Sequence, residues 1–362
     1  MMDSYQFNAA CSSLNRPYRK RAGFGRFLMY FFVWCLLWSV TGCAPAEKPI
    51  VQNEATGGAL GTSYSIIYQS DRTLDFQTAI DSVFEVVNRS LSTYIPDSDI
   101  SKINAGDTTV VVDTMFKEVF RLSKEIHQNT DGYFDPTVGV LVNAWGFGPG
   151  KAVVMDSVRV DSLLQYVGFD KVGLTEMGTV EKAHPNVYFD FNAIAKGYAI
   201  DRLALLMDQR GIADYLLEVG GELVAKGTNK VKKKPWTVGV DDPQVEEGRK
   251  LKLLLRLTDR ALASSGNYRK FRVDTLTGKK YVHTVDPKTG FTKSANTLAA
   301  TVLAADCATA DAYATAFMAM DLDDALSLIS RQNDLEAYIV YLERGVTKEY
   351  MTDGFRELVV TD

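Results

Sequence analysis

Between Thr297 and Met320 the chain runs through an apolar, partly β-branched segment, TLAATVLA, and then through CATADAYATAFMAM, which has one charged side chain. The first part reads as a buried strand, the second as a helix that packs closely through its alanines. Asp306 stands where an N-cap belongs. Any fold for this chain has to give that strand and helix interior positions. On the helix, Asp311 and Thr315 are four residues apart and share a face. A carboxylate and a hydroxyl are an incomplete cation cage. They suit Mg²⁺ when substrate phosphates supply the remaining oxygens. The same pair arises by chance on many helices, so the rest of the chain has to decide.

Just upstream, YVHTVDPKTG places His283 in a short β-prone run. The turn Asp286-Pro287-Lys288-Thr289-Gly290 follows, with Pro pre-setting one φ and Gly accepting a positive one. Asp286 either orients His283 or forms the turn.

The 362 residues, 46% hydrophobic and 23% charged, suffice for a sizeable core in one large or two medium domains. No basic excess points to nucleic acid. Arg16, Arg19, Lys20, Arg21 and Arg26 precede an apolar run, Phe27–Val40, that ends in Thr41-Gly42-Cys43. The run is shorter than the ~20 residues of a spanning helix, and the pattern is that of an export signal. Val40-Thr41-Gly42-Cys43 also resembles a bacterial lipobox, in which the cysteine is lipidated. Residues 1–42 are therefore expected to be a lipoprotein signal, 43–56 a polar tether and 57–362 a single domain. Without the signal, which carries five Lys/Arg and one Asp, 35 basic and 44 acidic residues remain, a formal charge of −9. Such a surface is held at a membrane by lipid rather than by charge. Cys11 and Cys35 leave with the signal, Cys43 is acylated, and Cys307 stands alone, so neither a disulfide nor a cysteine metal site is expected.

Along the domain, Gly57–Thr62 leads into a β-like run, Ser63–Tyr68, and Leu74–Asn88 and Phe116–Asn129 have helical spacing. Tyr94 lies in a polar loop and offers a flat face to a planar ring. In DGYFDPT, Asp135 is placed to cap a helix with Pro136 at its first position, and the helix continues to Trp145. Ser157–Val167 reads as a helix and Gly178–Ala183 as a turn. YFDFNAIAK runs from a strand into a helix, so Asp190, Ala193 and Lys196 fall at a junction suited to phosphates. Five short strands follow, Tyr215–Val219, Glu222–Lys226, Trp236–Val240, Leu251–Leu257 and Ala261–Ser264. Asp323–Ser330 reads as a helix, Ala337–Leu342 as a strand and Phe355–Val360 as a closing strand. Helices interleaved with mostly antiparallel strands, without a βαβ rhythm, make an α+β domain.

Four segments in this order, GTSY, GYFDPTVGVLVNAWGF, DFNAIAKGYAID and YVHTVDPKTG with ADAYATA, resemble the FAD:protein FMN transferases of the ApbE family. The resemblance spans about Gly57 to Met320. It implies a T-fold-like α+β arrangement, often on an exported lipoprotein facing the periplasm. It also implies transfer of the FMN part of FAD to a Thr or Ser hydroxyl of an acceptor protein, with release of AMP. Asp311 and Thr315 match the family's Mg²⁺-binding side chains and Ala193 the carbonyl that joins them. Tyr94 matches an aromatic packed on the flavin; Leu60, Tyr133, Phe134 and Asp135 match pocket positions, and Asp190, Lys196 and Val285 further FAD contacts. His283 matches the histidine assigned to proton transfer, although the sequence leaves the base as His283 or a carboxylate. Leu60 in place of Met and Phe191 in place of Leu are mild departures.

The same site serves an Mg²⁺-dependent FAD pyrophosphatase, with water in place of the acceptor. A periplasmic flavin-binding lipoprotein without chemistry is the reading from another class. Acceptor segments of the family's partners, electron-transfer subunits, resemble D-x-x-S/T-G/S-A-T. No such segment occurs here, so the acceptor is expected to be a separate protein.

Overall fold

The computed structural model describes residues 49–245, 250–267, 271–273, 280–293 and 296–361. The signal segment and Cys43 lie outside the described residues. A first hairpin pairs β1 (Val51–Ala59) with β2 (Thr62–Ser70). Its turn, Leu60-Gly61, holds both residues at positive φ, 52° and 74°, the geometry of two-residue hairpins whose twist matches their strands.

Helices α1 (Gln77–Leu91), α2 (Asp99–Asn104), α3 (Thr114–Asn129), α4 (Gly139–Trp145) and α5 (Ser157–Leu164) come next. A small hairpin, β3 (Val172–Leu174) with β4 (Val180–Lys182), precedes α6 (Ala195–Gln209). Then come β5 (Asp214–Val219), β6 (Glu222–Lys226), β7 (Trp236–Asp241), β8 (Leu251–Leu257), β9 (Arg260–Gly266), β10 (Phe271–Val273), β11 (Lys280–Val282) and β12 (Thr297–Ala304). The chain closes with α7 (Cys307–Ala319), α8 (Leu322–Ile329), β13 (Glu336–Glu343), β14 (Val346–Met351) and α9 (Asp353–Glu357).

Eight strands form one sheet in the order β1-β2-β5-β6-β9-β12-β13-β14, antiparallel throughout. The α+β expectation holds. Side chains alternate across this sheet with the two-residue period of a strand. Val302 and Ala304 of β12, with Ala337 and Ile339 of β13, face a helical layer that includes α7. Leu303, Tyr338 and Val340 face the other way, against Trp236, Val238, Leu255 and Leu257 of the β7–β8 hairpin and Phe355 of α9. Because both faces of β12 are covered, its sequence is apolar without alternation.

Helix α7 is buried nearly all round; only Thr309 and Thr315 among its residues are not. A helix apolar on every side belongs in an interior, and small residues let α6 close on it. A Cβ on Gly197 of α6 would stand 2.3 Å from the Cys307 carbonyl oxygen. Gly197→Ala must therefore push two backbones apart. We expect a loss of about 2–3 kcal/mol, as in overpacked cores, read as a lower urea midpoint at unchanged slope.

Five sequence expectations need correction, the first being Gly178–Ala183, read as a turn, where Val180–Lys182 form β4. Residues 51–56, read as tether, are strand, so the domain begins before residue 57. Only Asn53 and Ala55 of β1 are buried, and this edge strand carries no apolar alternation to read. The closing strand at Phe355–Val360 is instead α9 and a single bridge, Leu255 to Val359, with β14 ahead of it. Five residues are too few for a helical period, and buried Phe355 stacks on Tyr338 as it would from a strand. Tyr188 forms a bridge to Val138 rather than a strand. Asp135 caps no helix: α4 begins at Gly139 after Val138, and Asp135 Oδ1 instead accepts from the Thr137 N–H and hydroxyl, at 2.8 and 2.6 Å.

Candidate active site

The site is built where α6 and α7 start, beside the ends of several strands. Asp306 caps α7 by accepting from the Thr309 N–H at 2.8 Å. Asp201 of α6 accepts from the Cys307 and Ala308 N–H groups, each at 2.8 Å, so α7's free donors are satisfied from both sides. Burial pushes the Asp201 carboxyl up to about 7, against the pull of those two donors. Together these contacts fix the start of α7 against α6.

One turn into α7, Asp311 is 5% exposed and its Oδ2 accepts from the Gly197 N–H at 3.1 Å. That N–H belongs to the first turn of α6, after the N-cap Ile194. Had the helix begun one residue earlier, it would have gone to the Ala193 carbonyl. Burial raises the Asp311 carboxyl to about 7; Lys196 opposes the rise and Glu222 adds to it. Lys196 Nζ pairs with Glu222 Oε2 at 2.8 Å. Burial works against the charge on Lys196, but Asp311 and then Glu222 outweigh it and hold the ammonium protonated. Thr315 Oγ1 lies 3.3 Å from Ser265 Oγ at the end of β9.

Asp311, Thr315 and the Ala193 carbonyl are hard oxygen donors, and burial disfavours the Asp311 charge until a cation compensates it. Among the described residues there is no group of three or more His, Cys, Asp or Glu that could hold a metal by itself. The donors fit an oxygen-seeking divalent cation that takes its remaining ligands from a substrate.

Tyr94 is 58% exposed. Partial burial, then Asp190, then Tyr188 raise its phenol. Asp190 is buried; its Oδ1 accepts from the Asn192 N–H at 2.8 Å, and its own N–H donates to the Pro136 carbonyl. Asn192 reaches Thr93 at 3.5 Å. The Tyr94 loop is thus tied to the segment leading into α6.

Phe134 and Asp135 are buried side chains. Asp135 is spent on Thr137, on the Phe169 N–H at 3.1 Å and on His127 at 3.5 Å. The Phe134 backbone is engaged as well: its N–H donates to Thr130 Oγ1 at 3.1 Å and its carbonyl lies 3.0 Å from His127 Nδ1. Tyr133 carries Lys288 Nζ over its ring at 4.0 Å, and Lys288 pairs with Asp131 at 2.6 Å.

His283 follows β11 and is half-buried. Its neighbour Thr284 donates to Asn267 Oδ1 at 2.9 Å. Asp286 accepts from the Lys288 N–H at 2.8 Å and lies 3.7 Å from Lys293; it forms the turn. Val285 is buried with Leu141, Trp145, Val160 and Val167, and Trp145 Nε1 donates to the Gly290 carbonyl at 2.9 Å. The His283 loop is therefore held at Asn267, at Trp145 and, through Lys288, at Tyr133.

Sequence reasoning missed Glu222, Asp201, Ser265 and Asn267. Two had a signal: Asp201 closes the segment DFNAIAKGYAID, and Gly220-Gly221 precede Glu222.

Residues 60–339 match the ApbE family. The chain belongs to the ApbE family. Every site residue from Leu60 to Thr315 lies inside the matched span, and Cys43 lies outside it. The chain is similar to the FAD:protein FMN transferase of Haemophilus influenzae, 32% identical over 338 residues, 89% of this chain and 95% of that protein. The FAD:protein FMN transferase of Vibrio cholerae is 32% identical over 327 residues, 88% of this chain and 95% of that one. Of solved ApbE structures, the flavin transferase from Vibrio cholerae aligns at a TM-score of 0.76 and 30% identity, over 86% of this chain and 100% of that one. The ApbE protein from Thermotoga maritima gives 0.74 at 28%, again over 86% and 100%.

Proposed function

We propose that the protein is an FAD:protein FMN transferase. An acceptor Thr or Ser oxygen attacks the phosphorus of the FMN half of FAD, the P–O bond to AMP breaks, and AMP leaves. The acceptor proton passes to a base on this chain. The observation that carries the reading is the buried junction of α6 and α7 in an ApbE chain, where Asp311 accepts from the Gly197 N–H, next in the chain to Lys196. Phosphoryl transfer needs charge neutralisation and alignment more than covalent help, and that is what these residues provide.

Asp311, Thr315 and the Ala193 carbonyl are assigned as protein ligands of Mg²⁺, which when bound offsets charge on the diphosphate and the leaving AMP. Lys196 adds a fixed positive charge beside it. Tyr94 lays its exposed ring against the flavin, and Leu60, Tyr133, Phe134 and Asp135 are assigned to the flavin pocket. Asp190 and Val285 shape the segments that hold the rest of FAD. His283 is assigned as the proton acceptor, a role a neutral imidazole fills near pH 7.

The reading is tested by mixing the full-length protein with FAD, Mg²⁺ and an acceptor protein carrying a D-x-x-S/T-G/S-A-T segment. Flavin fluorescence that stays with the acceptor in a denaturing gel is the expected result; an acceptor left dark contradicts the assignment. Two side chains and a carbonyl also make a weak Mg²⁺ site without nucleotide. Calorimetry should show Mg²⁺ binding that strengthens markedly when FAD is present, and tight binding without FAD would contradict the ligand set.

The acceptor partner belongs to the electron-transfer subunits of the cell envelope. Lipidation of Cys43 would hold the enzyme at a membrane, facing the periplasm. Cys43→Ser should leave unprocessed precursor or release the protein from membranes. Membrane-extracted wild type that still carries residues 1–42 would contradict the anchor.

A further inference from the structure

Glu222 is a buried carboxylate for which the proposed reaction has no task. It is 4% exposed and opens β6 directly after Gly220 and Gly221, whose φ values are 65° and 108°. Gly220 packs against the first hairpin; its N–H donates to the Ser63 carbonyl, and a Cβ there would meet Thr62 Cγ2 at 2.7 Å. A turn with two left-handed residues is a costly conformation for anything but glycine, and its outcome is to bring Glu222 to Lys196 at 2.8 Å.

Two buried carboxylates thus bracket one ammonium. Among the described residues the ion pair of Lys196 is with Glu222, and none is made with Asp311. Yet Asp311 is the largest electrostatic influence on Lys196 after the opposing effect of burial. A lysine is a point charge on a flexible stem, so without Glu222 the ammonium would swing onto Asp311 and occupy the carboxylate as a cation does. We propose that Glu222 is a positioning residue that holds Lys196 off Asp311, leaving the Asp311 carboxylate open to a divalent metal. The proposal rests on the reading of Asp311 as a metal ligand.

The test is Mn²⁺ titrated into the full-length protein with FAD present, free Mn²⁺ being read by electron paramagnetic resonance. Four proteins are compared, the wild type, Glu222→Gln, Lys196→Met and the double variant. We expect Glu222→Gln to weaken Mn²⁺ uptake by about tenfold, within the range of coupled neighbours. In the Lys196→Met background the same change should matter by less than about twofold, because the competitor is gone. If Glu222 acts only as a negative charge that attracts the metal, the loss is equal in both backgrounds, and the proposal is overturned. An unaltered Glu222→Gln overturns it as well.

Asp311→Asn separates this failure from that of the ligand reading. If the wild type takes up no Mn²⁺, or Asp311→Asn takes up as much as the wild type, the ligand reading falls and the proposal with it. If Asp311→Asn abolishes uptake while Glu222→Gln is silent, only the proposal falls. Should circular dichroism show Glu222→Gln unfolded, Glu222→Asp replaces it. That variant keeps the charge but withdraws it by one methylene, and it must show the same dependence on Lys196.

Discussion

Asp311→Ala should lower FMN transfer by about 10³-fold or more, since a metal-organising carboxylate supplies several kcal/mol of transition-state stabilisation. The fold should survive, because Lys196 keeps its partner Glu222 and no buried charge is left unpaired. Stability moves in the opposite direction to activity. The folded state raises the Asp311 carboxyl from 3.8 to about 7, chiefly through burial. Between those values the folded protein holds a proton that the unfolded chain has lost, so this group makes stability fall as pH rises from about 4 to about 7. In metal-free buffer, Asp311→Asn should remove that slope. The variant should match the wild type below pH 4 and melt higher at pH 7 and above. A variant that melts lower at neutral pH would mean that the carboxylate stabilises the fold, and that its place is structural rather than catalytic.

His283→Ala should lower transfer by roughly 10²–10⁴-fold, the usual share of general acid–base catalysis. FAD affinity should change much less, because the imidazole acts on the incoming hydroxyl and not on the dinucleotide. The loop around His283 is also fastened at Asn267 through Thr284 and at Trp145 through Gly290, contacts that the substitution leaves in place. A variant that keeps full rate, or loses rate only with FAD affinity, would move the base to a carboxylate.

Much of this arrangement was legible in the sequence, and the physical reasons differ from element to element. β12 and α7 could be read because burial on all sides leaves an unbroken apolar composition, and β5 to β9 because turn residues punctuate them. β1, β3, β4 and β14 are short or lie at edges, where few side chains are buried and no period develops. The pairing of Asp311 with Thr315 follows from helical spacing alone. The pairing of Lys196 with Glu222 does not, since it depends on a glycine turn 24 residues away folding back onto α6. Asp286 shows the same limit: its two open roles were separated only by its bonds to Lys288 and Lys293. Asp135 looks accessible within DGYFDP, yet it and Phe134 are both buried.

The central claim is that the phosphate of FMN passes to a protein hydroxyl and not to water. The direct measurement is a single-turnover reaction of the full-length protein with FAD, Mg²⁺ and an acceptor peptide, in which AMP, free FMN and peptide mass are followed together. The account predicts one AMP for each peptide that gains FMN with loss of water, and no free FMN in step with AMP. AMP and free FMN appearing together, with the peptide mass unchanged, would contradict it and make the protein a pyrophosphatase.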